Sequence, residues 1–290
     1  MMNSAIQCKG LTKSYRKTEA VKDIDLTIHE NKIYGLLGRN GAGKTTLLNL
    51  ICSEIIRDSG EVKIYGEEVF ENSNALENIC LVKEKGFSTE DKKAEEIFAI
   101  ASILYKNWDE EYKNSLVKEF NLNTKKKYKN LSRGTQSIVG LIIGLASRAR
   151  ITIFDEPSLG LDAAAREKFY NLLLQDYEIN PRTIIISTHL IDEVSNMFEE
   201  VLILNKGEVM VQEDVVSLLE KARFISGKEE VIMPLISGKK IIHKESFGAT
   251  SIIGVWGKFN DKELQILREN NLEISPMPLQ KLFIYLTEEC

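Results

Sequence analysis

Between an apolar run, Ile33–Leu37, and a stretch of helical character, Thr45–Cys52, lies Gly38-Arg39-Asn40-Gly41-Ala42-Gly43-Lys44-Thr45. It fits the pattern GxxxxGK(S/T) throughout. No other feature restricts the chain as much, because a strand, a glycine loop and a helix in that order form a cradle for a phosphate anion. The glycines let the backbone N–H groups from Gly38 through Asn40, Gly41, Ala42 and Gly43 turn inward around phosphate oxygens. The helix that begins near Lys44 aims its positive end at the same anion. Lys44 can reach the β- and γ-phosphates of a nucleotide, and Thr45 can ligate Mg2+.

A second segment fits that chemistry. Ile151-Thr152-Ile153-Phe154 is a buried-type strand that ends in Asp155 and Glu156. Asp155 can hold Mg2+ through water, which leaves Glu156 free as general base for an attacking water. A further apolar strand, Thr183–Ser187, leads to His189. If its end shares the edge of the sheet with Asp155, the imidazole can sense the γ-phosphate and orient the water.

Around these segments the pattern is α/β. The spacing predicts helices over Ser132–Ser147 and Ala163–Tyr177, alternating with the strands, which implies a parallel sheet with right-handed crossovers. Upstream, Ala5–Cys8, Val21–Ile28 and Glu61–Tyr65 read as short strands. Ser88 and Asp91 suggest a capping box for a helix whose apolar face carries Ala94, Ile97, Phe98, Ala101 and Leu104. A second helix is expected over Asp109–Phe120. The character changes around Lys221–Lys228. From there strands at Ile241–His243, Ser251–Trp256 and Leu272–Ile274, with helices Asp261–Asn270 and Leu279–Glu288, suggest a small α+β appendage.

Bulk properties exclude other classes. The 290 residues carry a formal charge of −5, which argues against a nucleic-acid partner, since a basic face would be expected. Cys8, Cys52, Cys80 and Cys290 are scattered without a CxxC pair, so a reducing cytosol fits and a zinc site does not. His29, His189 and His243 are also dispersed. No signal peptide is visible at the N-terminus. The strongest apolar stretch, Ile138–Ala146, falls short of the ~20 residues a spanning helix needs.

Further segments carry a family likeness. Leu131-Ser132-Arg133-Gly134-Thr135 resembles the LSGGQ signature of ABC ATPases, Ser158-Leu159-Gly160-Leu161-Asp162 their D-loop, and His189 their switch histidine. The resemblance runs from about Ala5 to Gly207 with the motifs in family order. It implies a P-loop NTPase of ABC type: an α/β fold with an antiparallel β subdomain and an inserted helical subdomain at about 88–147. This domain would fill 1–220, and a C-terminal α+β domain 221–290. It further implies that Tyr15 stacks on adenine and that Thr46 joins the phosphate loop in holding ATP. Two such domains would meet head to tail over two ATP. Ser132 and the Gly134 N–H of one would then face the γ-phosphate held by the other, with Asp162 linking the sites. The expected partners are a second nucleotide-binding subunit and a separate integral-membrane permease, with the chain peripheral at the cytoplasmic face of the membrane.

The sequence departs from the family in places. Arg133 replaces a signature glycine and Thr135 its glutamine. Arg39 replaces the usual proline of the phosphate loop. Glu84 stands where the family has the Q-loop glutamine and is expected near the metal. Glu84, the segment from Tyr105 to Glu111 and the C-terminal tail are similar to a bacterial exporter group with bacitracin-resistance-type and GntR-operon-type ATP-binding subunits. The alternative is a soluble ABC-type ATPase that acts as scaffold or regulator without a membrane partner.

Overall fold

The computed structural model describes residues 3–83 and 91–288. The first part of the chain forms β1 (Ser4–Tyr15), β2 (Thr18–His29), β3 (Ile33–Gly38), α1 (Lys44–Ile51), β4 (Ser59–Ile64), β5 (Glu67–Glu68), α2 (Ser73–Leu76) and β6 (Ile79–Val82). The middle forms α3 (Ala94–Leu104), α4 (Glu110–Glu119), α5 (Arg133–Ala146), β7 (Ile151–Asp155), α6 (Ala163–Ile179) and β8 (Thr183–Thr188). The remainder forms β9 (Glu200–Asn205), β10 (Glu208–Asp214), α7 (Val215–Glu220), β11 (Ala222–Gly227) and α8 (Glu229–Leu235). It ends with β12 (Lys240–Phe247), β13 (Thr250–Trp256), α9 (Asp261–Glu269), β14 (Glu273–Pro276) and α10 (Leu279–Thr287). The chain divides into two compact units: Met1–His189 with Leu202–Val211, and Leu190–Val201 with Gln212–Cys290.

A six-stranded sheet runs in the order β10-β9-β3-β8-β7-β6. β3 pairs with β8, β8 with β7 and β7 with β6, all in parallel. Every residue of β3, β7 and β8 is buried. Parallel strands covered on both faces read as unbroken apolar runs, which is what these three segments show. Their C-terminal ends share one edge, so Gly38, Asp155 and Thr188 come together although they are far apart in sequence. A separate antiparallel sheet, β2-β1-β4-β5, contributes Ile6, Cys8, Val21, Ile24, Leu26, Val62 and Ile64 to the core.

The helices start where side chains can satisfy the free N–H groups. Ser132 caps α5, Asp109 caps α4 and Asp162 caps α6. The cap expected of Ser88 and Asp91 is not how α3 begins. Ser88 lies outside the described residues, and the Lys93 N–H donates to Glu96 Oε2 at 2.7 Å, three residues further on. Ala94, Ile97, Phe98 and Ala101 are buried as expected, but Leu104 is 66% exposed. Leu104 belongs instead to a second row with Ile100 and Ile103 on the open side of α3. Apolar spacing names residues that share a face; it does not say which of two apolar faces finds a neighbour.

In the second unit the order strand-helix-strand-strand-helix-strand closes an antiparallel sheet, β12-β13-β11-β14. This is the ferredoxin-like arrangement. Ile225, Ile253 and Val255 from the sheet pack with Ile232, Leu267 and Leu272 from α8, α9 and the turn after it. The sequence showed only a change of character where β11 and α8 lie. β11 buries only Ala222 and Ile225 over a short span, without strand alternation, and Pro234 interrupts the pattern of α8.

Candidate active site

The phosphate loop leaves β3 at Gly38 and enters α1 at Lys44. Gly43 caps the helix with φ 106° and no side-chain bond. A Cβ there would collide with the Ala20 carbonyl, so both conformation and space demand glycine. Lys44 is only 7% exposed and its Nζ donates to the Gly38 carbonyl at 2.7 Å. The ammonium is thus folded back over the loop, 3.6 Å from Glu156 Oε1.

Thr45 Oγ1 donates to Asp155 Oδ2 at 2.9 Å. This links the first residues of α1 to the end of β7, across a sequence separation of 110. Asp155 Oδ1 is buried and has no hydrogen-bond partner. A buried acceptor left unpaired is costly, and a hydrated cation would satisfy it. The hard oxygens of Asp155 and Thr45 suit Mg2+. Glu84 lies outside the described residues. Among the described residues no cluster of three or more His, Cys, Asp or Glu side chains could form a dedicated metal cage. A two-ligand site completed by phosphate oxygens is the arrangement Mg2+ accepts.

Glu156 follows with φ 53° and its N–H donates to the Ser187 carbonyl at 2.9 Å. A non-glycine residue in this region is uncommon and turns the side chain away from the strand direction. Its carboxylate meets His189 Nδ1 through Oε2 at 2.8 Å. Glu156 therefore lies between a lysine and a histidine. A cavity of about 720 Å3 is lined by Asn40, Gly41, Ala42, Gly43, Lys44, Thr45 and Thr46 from the loop side. Glu156, Leu159 and His189 line it too. The arrangement offers backbone N–H groups and an ammonium to a phosphate chain, with a carboxylate placed to accept a proton from water.

The remaining expected residues stand elsewhere. Tyr15 is 48% exposed at the end of β1 and does not line the cavity. Its hairpin is held where Asp58 accepts from the Ser14 N–H at 2.7 Å and from Lys13 Nζ at 2.9 Å. These bonds hold the Asp58 carboxyl below its ordinary range. Ser132 and Gly134 at the start of α5 do not reach the cavity of their own chain either. Ser132 Oγ accepts from the Thr135 N–H at 3.2 Å and lies 2.8 Å from Thr135 Oγ1. Asp162 accepts from the Ala165 N–H at 2.8 Å.

Sequence reasoning missed Ala20 and Leu159, which also line the cavity. Ala20 arrives from the other sheet and carries no local signal. Leu159 was visible only as part of the D-loop pattern. It also missed the Ser158 and Ser187 hydroxyls, both buried without hydrogen-bond partners beside this edge.

Comparison with known proteins agrees with this geometry. A family model described as ABC transporter matches residues 21–159. The ATP-binding protein YtrB of Bacillus subtilis is 29% identical over 216 residues, 74% of each chain. The bacitracin transport ATP-binding protein BcrA of Bacillus licheniformis is 29% identical, covering 72% of this chain and 69% of its own. Among solved structures, the dimeric ATP-binding cassette MJ0796 in a post-hydrolysis state with ADP and phosphate superposes with a TM-score of 0.62 at 25% identity. That match covers 72% of this chain and 98% of the cassette.

Proposed function

Since this chain carries the ATP-binding domain of the ABC transporter family and is an ATPase, we propose that it is the motor subunit of an exporter, with its permease on a separate polypeptide. The reading rests most on one observation: the Glu156 carboxylate is set between Lys44 Nζ at 3.6 Å and His189 Nδ1 at 2.8 Å, at the mouth of the phosphate loop.

In this reading the loop N–H groups and Lys44 bind the phosphates of ATP. Lys44 gives up its contact with the Gly38 carbonyl to do so. Thr45 and Asp155 would hold Mg2+, which would supply neutralisation of phosphate charge when bound. Glu156 accepts the proton of the attacking water as general base. His189 fixes the Glu156 carboxylate through Nδ1 and presents its remaining edge to the γ-phosphate. Tyr15 stacks on the adenine from outside the phosphate cavity. Ser132, the Gly134 N–H and the start of α5 point at the ATP of a second subunit, in keeping with their distance from their own cavity. The helix start is a fitting anion site there.

A membrane partner is supported by α3. Ile100, Ile103 and Leu104 are 37%, 84% and 66% exposed and share one face at i, i+3 and i+4. Such a row in water marks a contact surface. Among the described residues no helix is long and apolar enough to cross a membrane. The proposed place of action is the cytoplasmic face of the membrane.

Two measurements test this. Glu156→Gln should lower phosphate release by about 10²- to 10⁴-fold while ATP still binds. Turnover at the wild-type rate would remove Glu156 as base. The same variant, isolated from its native membranes with ATP and Mg2+, should retain a polytopic membrane protein, and Ile103→Glu should release it. A dimer free of any membrane chain would instead favour a soluble scaffold or regulator.

A further inference from the structure

We infer that Ser137 is a positioning residue that ties the anion-facing start of α5 to the wall of this chain's own phosphate cavity, and so makes the two nucleotide sites of a dimer act together. The inference rests on the head-to-tail reading above. Ser137 Oγ donates to the Leu159 carbonyl at 3.0 Å, across a sequence separation of 22. A serine inside a helix ordinarily bonds its own backbone four residues back. That acceptor, the Arg133 carbonyl, is present at 3.2 Å, so the hydroxyl reaches outward to the nearer of two acceptors.

The outward bond arrives at an informative place. Leu159 lines the phosphate cavity, and its N–H donates to the Glu156 carbonyl at 3.2 Å. One side-chain bond thus connects α5 to the backbone of the proposed general base within three residues. A second attachment lies one turn earlier. Gly134 and Gly160 approach so closely that a Cβ on Gly134 would stand 2.5 Å from the Gly160 carbonyl oxygen. Gly160 has φ 81°, which lets its carbonyl turn toward the helix. One attachment would leave the helix start free to pivot on the 156–162 loop. Two attachments a helical turn apart fix both position and rotation. The result is a rigid corner between surfaces with different clients. The exposed start of α5, with Ser132, addresses the ATP of the second subunit. The loop carries Leu159 and Glu156 toward the ATP of its own.

Engagement of α5 by the partner's nucleotide would therefore set Glu156 in its own cavity. Ser137 touches no substrate and acts through Leu159. Nothing in the family pattern assigns it: the signature ends at Thr135, and the D-loop begins at Ser158.

The test uses the full chain. Phosphate release is measured against ATP concentration for the wild type, Ser137→Ala and Ser137→Thr. The wild type should show a Hill coefficient approaching about two, the limit for two coupled sites. Ser137→Ala should lose about fivefold in kcat, the scale of one hydrogen bond, with the Hill coefficient falling toward one. Affinity for ATP, measured in the Glu156→Gln background, should stay within about twofold, because the loop that binds it is untouched. Ser137→Thr keeps the hydroxyl and should restore both values. A Ser137→Ala protein that melts at a lower temperature yet hydrolyses with wild-type kcat and cooperativity would overturn the inference and leave Ser137 a packing residue. Light scattering on Glu156→Gln with ATP separates the two layers. Absence of a dimer overturns the head-to-tail reading, and the role of Ser137 with it. A dimer combined with unchanged Ser137→Ala kinetics overturns only the role of Ser137.

Discussion

Among the described residues of the first unit, one charged cluster lies where the parallel strands end and another where they begin. At the ends, Lys44, Asp155, Glu156 and His189 meet around a cavity. At the beginnings, Arg148 lies just before β7 and Arg182 just before β8. Arg148 Nη2 reaches Asp109 Oδ2 at 3.0 Å, and Arg148 also bonds Asp176. Arg182 Nη1 lies 2.8 Å from Asp176 Oδ2, and Arg182 Nε donates to Thr152 Oγ1 at 3.2 Å. Tyr112 packs its ring under the Arg148 guanidinium, 4.4 Å from the centroid. Burial, with the Asp176 charge nearby, pushes the Tyr112 hydroxyl up to about 12.

The difference lies in the balance of charge. Two arginines and two aspartates cancel, and each oxygen of the Asp176 carboxylate is ion-paired to a guanidinium, although Asp176 Oδ2 and Arg182 Nη2 make no hydrogen bond. This cluster cross-links α4, α5, α6 and two strand starts. At the other edge Asp155 Oδ1, Ser158 Oγ and Ser187 Oγ have no partner. Lys44 is parked on a backbone carbonyl it can leave. A cluster whose charges balance fastens the fold; one whose lysine rests on a backbone carbonyl is prepared for an anion that arrives.

If this contrast holds, damage to the two clusters should appear in different measurements. The largest effect is expected at the open cluster. Lys44→Ala should lower ATP affinity and remove hydrolysis, with phosphate release down by at least about 10²-fold and a melting temperature near the wild-type value. A protein that instead unfolds would make Lys44 as structural as Asp176. Next, Asp176→Ala leaves two guanidiniums partly unpaired and should cost about 3–5 kcal/mol in denaturant unfolding. The folded fraction should still bind ATP; loss of binding would break the division between the two edges.

The smallest effect concerns pH. Burial alone would raise the Asp109 carboxyl, but the Tyr112 N–H and the Arg148 guanidinium outweigh it and hold the group below its ordinary value. A depressed carboxyl contributes stability that is present above the unfolded value of about 3.9 and is lost as pH falls through the folded one. The stability gap between wild type and Asp109→Asn should therefore be constant from about pH 5 to 7 and shrink below about pH 4. A gap that widens in acid would reverse the assignment.

How much of this could be read beforehand follows the range of each interaction. The phosphate loop is local: strand, glycines, lysine and helix are contiguous, so Gly43 and Lys44 were legible together. The strand over Ile151–Phe154 and its two terminal carboxylates were legible for the same reason. The Arg148–Asp176 and Arg182–Asp176 pairs were not, because an arginine before a strand has no periodic signature. The open face of α3 was half legible: the spacing gave apolar rows and put Leu104 on the buried one.

The sequence alone determined the chemistry that can occur. It specified a glycine loop before Lys44 and Thr45, carboxylates at the end of an apolar strand and a histidine after another, because those depend on neighbours in the chain. Tertiary structure decided which groups meet. It brought Thr45 to Asp155 and Glu156 between Lys44 and His189, it kept Ser132 away from its own cavity, and it joined Ser137 to Leu159. Those contacts span tens of residues. They exist because parallel strands bring their C-terminal ends to one edge, which no local pattern encodes.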